Sequence, residues 1–215
     1  MSETMIATLI GSGVTLITTV VTLLINLLIE KHKSQLKIRQ KKHEVKREKL
    51  NDIYAELVSI VNQYPNSSPN DALQYVEYPP NYSMESFDAV LKSLDYQIED
   101  YKKQLNNVNI NFERKSDVDT QISNREYAKK KISEIRDEYY MARDRYKSFC
   151  KSDKAVFDLY AGQDVRNCLV EFEVIIHNVF ISGHSVGGAD DSLNNKIEII
   201  RRKLINSMRN DIGTY

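Results

Sequence analysis

The apolar positions of the chain change rhythm several times, and each change marks a different kind of segment. From Ile6 to Ile29 run 24 residues without a charge. As a helix rising about 1.5 Å per residue they reach roughly 36 Å, enough to cross a hydrocarbon core of about 30 Å with some tilt. A secretory leader has a basic start and a small-residue cleavage site. Here Glu3 precedes the run and Leu27-Leu28-Ile29 closes it, so the pattern predicts a retained transmembrane anchor over residues 1–30.

A second rhythm begins at Leu50. Apolar residues at Leu50, Ile53, Tyr54, Leu57, Val58, Val61 and Tyr64 share one helical face. No glycine or proline interrupts residues 31–63, so the anchor helix is expected to continue through them to about Gln63. Residues 64–83 then hold all four prolines and four tyrosines, the composition of a long loop.

Next come two sustained heptads. Phe87, Leu91, Leu94, Ile98, Tyr101, Leu105 and Val108 step by four and three, predicting a helix over 84–107 with Ser83 as its cap. Ala128, Ile132, Ile135, Tyr139, Ala142, Tyr146 and Phe149 do the same within a helix expected over 117–151. The alternation over 108–112 reads as a short extended piece between them. Two such helices joined by a turn form an antiparallel hairpin over 84–151.

Residues 152–215 complete the pattern as a helix pair. Val156, Leu159, Tyr160, Cys168, Leu169, Phe172, Ile175, Ile176, Val179 and Phe180 mark a central helix, with a kink or break at Gly162. Asp190 or Asp191 is expected to cap a last helix carrying Leu193, Ile197, Ile200, Leu204 and Met208. The fold class is therefore all-α: one N-terminal transmembrane helix continuing into a cytoplasmic helical bundle with a long, coiled-coil-like antiparallel hairpin.

Charge sharpens this picture. The formal net charge is zero, yet Lys31, Lys33, Lys37, Arg39, Lys41, Lys42, Lys46, Arg47 and Lys49 are crowded into one juxtamembrane block. The positive-inside rule then puts the N-terminus outside and the body in the cytoplasm of a cell-membrane protein. Lys31, Lys33, Lys37, Arg39, Lys41 and Lys42 are the candidates for contact with headgroups of an anionic inner leaflet. No aromatic residue interleaves these charges, which argues against nucleic acid as a partner. Two cysteines, Cys150 and Cys168, make no disulfide framework and read as small packed groups.

Inside the apolar run, Thr8, Ser12, Thr15, Thr19, Thr22 and Asn26 again alternate steps of four and three. That spacing predicts a polar seam facing a partner helix, and hence a homo-oligomer. A pore lined by several copies of the same stripe is the alternative reading.

Catalytic motifs are few. Gly183-His184-Ser185-Val186-Gly187 has the G-x-S-x-G form of a hydrolase nucleophile elbow. That device needs a parallel sheet behind it and a histidine after the serine. The histidines are His32, His43, His177 and His184, all before Ser185, so the glycines are expected to serve a helix–helix loop. Glu173 and His177 lie one helical turn apart, but two ligands make a poor metal site, and a satisfied, partly buried histidine is expected instead. Pro79-Pro80-Asn81-Tyr82 has the form of a short WW-domain ligand; packing of the loop tyrosines on the bundle is the expected use. No P-loop, zinc-finger spacing or nuclease Arg–His pairing is present. No cofactor or metal is implied. The reading is a non-enzymatic membrane effector or scaffold, of the kind that acts in phage–host conflict, with an unidentified cytoplasmic protein partner; Lys/Asn/Ile-rich usage suggests a low-GC bacterium or its phage.

Overall fold

The computed structural model describes residues 3–106, 110–188 and 191–213, with side chains from residue 21 onward. Among the described residues the chain is helical and holds no β-strand, as the periodicities predict. The helices are α1 (Glu3–Gln63), α2 (Pro69–Leu73), α3 (Phe87–Leu105), α4 (Phe112–Ser152), α5 (Lys154–Tyr160), α6 (Gln163–Ile176) and α7 (Lys196–Ile212). A π-helical turn, His177–Ile181, extends α6. The chain divides into two compact units, residues 1–48 and 49–215.

In the first unit every described residue lies on α1. Among the described residues no helix is long and apolar enough to cross a membrane. Of the Ile6–Ile29 run, only residues 21–29 have described side chains.

The second unit is a helical bundle. Leu50, Ile53, Tyr54, Leu57, Val61 and Tyr64 are buried as their spacing predicts, Val58 is half-buried, and Ile60 joins them. They pack with the C-terminal part of α4, with α5, α6 and the π-turn, and with Ile197, Ile200, Leu204 and Met208 of α7. Each fully buried aliphatic side chain contributes about 1.5–3 kcal/mol relative to exposure. Partner numbers rise on one helix as they fall on the other, so neighbours run antiparallel. Asp95 of α3 meets Lys129 of α4, Gln97 meets Arg125, and Gln104 meets Arg114. Gly162, just before α6, meets Asp211 of α7, and Glu171 of α6 meets Lys203.

The α3–α4 hairpin has shifted bounds. Its first helix begins at Phe87, because Ser83 and Ser86 close a turn on each other: Ser83 Oγ accepts from Ser86 N at 3.2 Å. Val90 fills a buried position beside the expected seam. Its second helix begins at Phe112, where Asn111 caps by accepting from Arg114 N at 2.8 Å. Ile110 and Asn111 are thus helix entry, not a strand, while Val108 lies outside the described residues. The α4 seam continues past Ala128 through Arg125 to Ile122 and Val118, all buried.

Residues 64–83 form a strap. Ser68 and Asp71 make a capping box around α2, with Pro69 in its first turn. Ala72, Leu73, Val76 and Tyr82 fill a second core with Phe87, Val90, Leu94, Ala128 and Ile132. Tyr64 and Tyr82 are buried as expected, whereas Tyr75 and Tyr78 point outward. With Tyr82 buried, Pro79-Pro80-Asn81-Tyr82 is not displayed as a ligand. Polar groups hold the strap from both sides. Arg125 donates to Glu77 O at 2.7 Å, Asn124 to Tyr75 O at 2.9 Å, and Asn195 to Asn66 O at 2.7 Å.

In the C-terminal pair, Gly162 marks the break between α5 and α6, and Asp211 accepts from its N–H at 3.0 Å. The last helix is capped by Asn195, not by Asp190 or Asp191; Asn195 Oδ1 accepts from Ile197 N and Glu198 N at 3.0 and 3.2 Å. Asp191 instead closes the preceding turn onto Leu193 N, and Asp190 lies outside the described residues. Leu193 is consequently exposed and off the α7 face.

Candidate functional site

Two regions carry features that the core does not require. The first is α1 between residues 21 and 49. Val21, Leu23, Leu24, Ile25, Leu27, Leu28 and Ile29 are all exposed. At about 100° of rotation per residue they surround the helix except for one sector. That sector holds Thr22 and Asn26, two residues of the polar seam. Thr8, Ser12, Thr15 and Thr19 lie outside the described side chains. Beyond Ile29, Lys31, Lys33, Lys37, Arg39, Lys41 and Lys42 are exposed too. By the same rotation they cover about two thirds of the circumference, a broad collar of charge and no narrow basic stripe.

The second region is a cleft of about 200 Å³ in the body, lined by Tyr64, Tyr139, Arg143, Tyr146, Phe172, Glu173, Ile176 and His177. Tyr64 arrives from the residue after α1, while α4 and α6 supply most of the rest. The Tyr64 ring stands nearly perpendicular to Phe172, 77° at 5.5 Å, and tilted 56° to Tyr139 at 6.1 Å. Edge-to-face pairs of this kind add about 0.5–1.5 kcal/mol beyond burial.

Burial pushes the phenols of Tyr64, Tyr139 and Tyr146 above their ordinary value, so all three stay neutral. For Tyr146 the bond it donates to Glu173 acts in the same direction. Among the described residues no cation pairs with Glu173. Arg143 is already engaged: its Nε and Nη2 donate to Asp144 at 3.2 and 3.0 Å, and its guanidinium lies 4.4 Å from the Tyr140 ring centre.

The other sequence candidates resolve into structure. Ser185 donates to Asp71 Oδ1 at 2.6 Å and accepts from Gly187 N, which ties the glycine loop to the strap. Gly183, at φ +76°, follows the π-turn and opens the loop between helices that the glycines are expected to serve. His177 is exposed, not partly buried, because the π-turn carries it to the rim of the cleft beside Glu173. Among the described residues no three His, Cys, Asp or Glu side chains converge as a metal site. Cys168 is packed as expected, but Cys150 is exposed.

Sequence reading placed Tyr64, Tyr139, Tyr146 and Phe172 in the core and did not foresee their common cleft. Of its lining, the one-turn spacing singles out only Glu173 and His177. No protein-family model matches the chain, and no curated protein or solved structure matches it.

Proposed function

We propose that the chain is a single-pass membrane protein, N-terminus outside, whose helical body works in the cytoplasm as a non-enzymatic, self-associating scaffold or effector. One observation carries this reading: residues 21–29 present exposed aliphatic side chains on every side of α1 but one. A helix apolar nearly all round is stable only against lipid or other protein. The remaining sector, with Thr22 and Asn26, has the small and polar character of a helix–helix contact in lipid. Thr8, Ser12, Thr15 and Thr19 would extend the same seam. The collar of Lys31, Lys33, Lys37, Arg39, Lys41 and Lys42 suits a helix that passes through a headgroup layer, since a helix lying in the layer needs an apolar face. Each of these charges contributes about 1 kcal/mol near an anionic leaflet.

The test compares the full chain with a version starting at Lys49, by membrane extraction and by mass in nanodiscs. The full chain should resist alkaline wash and show a defined copy number, while the shorter version stays in the aqueous phase as a monomer. Replacing Thr15, Thr19 and Asn26 together with leucine should lower the copy number and spare insertion. If the full chain leaves the membrane on washing, the reading fails. If the triple change also abolishes an ion leak, the seam lines a pore.

A further inference from the structure

The cleft between α4 and α6 is built unlike the rest of the core. Its lining includes four aromatic rings, those of Tyr64, Tyr139, Tyr146 and Phe172, with Tyr64 set at steep angles to Tyr139 and Phe172. Aromatic faces are electron-rich and attract cations, most strongly cations that hold little water. At its edge sits Glu173, whose carboxylate is held by a neutral donor, the Tyr146 hydroxyl. The one other formal charge on the lining, Arg143, pairs with Asp144, which Lys147 shares, and its guanidinium lies 4.4 Å from the Tyr140 ring centre and 6.0 Å from that of Tyr139. Glu173 is therefore the one carboxylate on the lining, bound to no cation among the described residues and set beside neutral rings.

Size narrows the choice further. About 200 Å³ is less than the roughly 300–1,000 Å³ of sites for drug-sized ligands. It suits a group the size of a headgroup. Potassium or ammonium would hold its hydration shell against such walls, whereas a methylated ammonium sheds it readily and fills the space with methyl groups.

We propose that this cleft binds a quaternary or methylated ammonium group, with the rings of Tyr64, Tyr139, Tyr146 and Phe172 around the methyls and Glu173 as the counter-charge. The group arrives on a free solute of the choline type or on a phosphocholine headgroup, which present the same trimethylammonium.

Tyrosine emission reads the site, because the chain has thirteen tyrosines and no tryptophan. The full-length protein in detergent is titrated with choline, with potassium, and with 3,3-dimethylbutan-1-ol, the neutral isostere of choline. Choline should bind saturably, at least tenfold more tightly than the isostere, and potassium should not compete. Glu173→Gln keeps an acceptor for Tyr146 and should weaken choline at least tenfold without changing the isostere. Phosphatidylcholine vesicles that displace choline, where phosphatidylglycerol vesicles do not, assign the source to lipid; failure of both to displace it assigns the site to a free solute. Equal binding of choline and isostere, a Glu173→Gln variant that binds choline like the parent, or no saturable choline binding overturns the proposal.

Discussion

Arg201 in α7 donates from Nη2 to the backbone oxygen of Tyr64 at 2.8 Å, across a sequence separation of 137 residues. The same guanidinium reaches Val61 O at 3.0 Å and Asn66 Oδ1 at 2.6 Å, and pairs with Glu198 at 2.7 Å. The last carbonyls of a helix have no partner within it. Here the final helix of the chain supplies them to the first. Arg201→Ala leaves those oxygens buried and unbonded, so it should destabilise the body by about 3 kcal/mol. Arg201→Lys should recover only part, because one ammonium lacks the planar fork. Urea denaturation followed by circular dichroism checks both.

Arg125 occupies a heptad position of α4 and is 1 % exposed. Gln97, Gln121 and Glu77 O accept its hydrogens, and its guanidinium lies 4.5 Å from the Tyr101 ring centre. Arg125→Ala should cost about 2–4 kcal/mol and loosen the strap, seen as faster chymotryptic cleavage after Tyr75. Arg125→Met should restore stability in part, since it refills the seam, but not the grip on Glu77. Equal protease resistance in all three proteins would mean that Arg125 does not hold the strap.

Tyr54 donates to Asp211 Oδ2 at 2.6 Å, and Asp211 also receives the Gly162 amide. Burial first, and then that carboxylate, push the Tyr54 phenol well above its ordinary value of 10. Tyr82 is pushed up to about 12, chiefly by burial. A group whose folded value is raised contributes stability fully below its unfolded value and loses it as pH rises through the folded one. Stability should therefore hold up to about pH 10 and fall above it, by about 1.4 kcal/mol per pH unit for each such tyrosine. Tyr54→Phe should flatten this alkaline slope while lowering stability at neutral pH.

The glycine loop admits a direct test of its structural role. A Cβ added at Gly183 would stand 2.1 Å from Tyr82 O, in a backbone conformation that L residues rarely adopt. Gly183→Ala should cost about 2 kcal/mol or more. Ser185→Ala, which removes the bond to Asp71, should cost about 1–2 kcal/mol. An ester hydrolysis that Ser185→Ala abolished would reverse this reading.

How much of this was legible depends on what each residue announces. The α4 seam from Ala128 to Phe149 and the α1 face from Leu50 to Tyr64 could be read because burial follows an apolar period. Arg125 could not, since a seam position filled by a charge looks like a surface position until its partners on α3 and the strap are known. The α7 cap was misplaced because Asp190, Asp191, Asn194 and Asn195 all have capping side chains. Three-dimensional context favours Asn195, whose amide also reaches Asn66. Phe112 is 88 % exposed, so no apolar signal marks the true start of α4. The aromatic cleft was hidden for a different reason: its walls come from residues about 75 and 108 positions apart, each of which alone looks like ordinary core.

The strap has a consequence for the order in which the chain matures. It leaves the ribosome more than 100 residues ahead of Ser185, Asn195 and Arg201, which supply three of its fastenings. Until those residues emerge, residues 64–71 hang on the hairpin side alone, with the oxygens at the end of α1 open to water. A nascent chain halted before Ser185 would thus carry an incomplete body however long it waited, and quality control that trims or unfolds such chains would find its handle there.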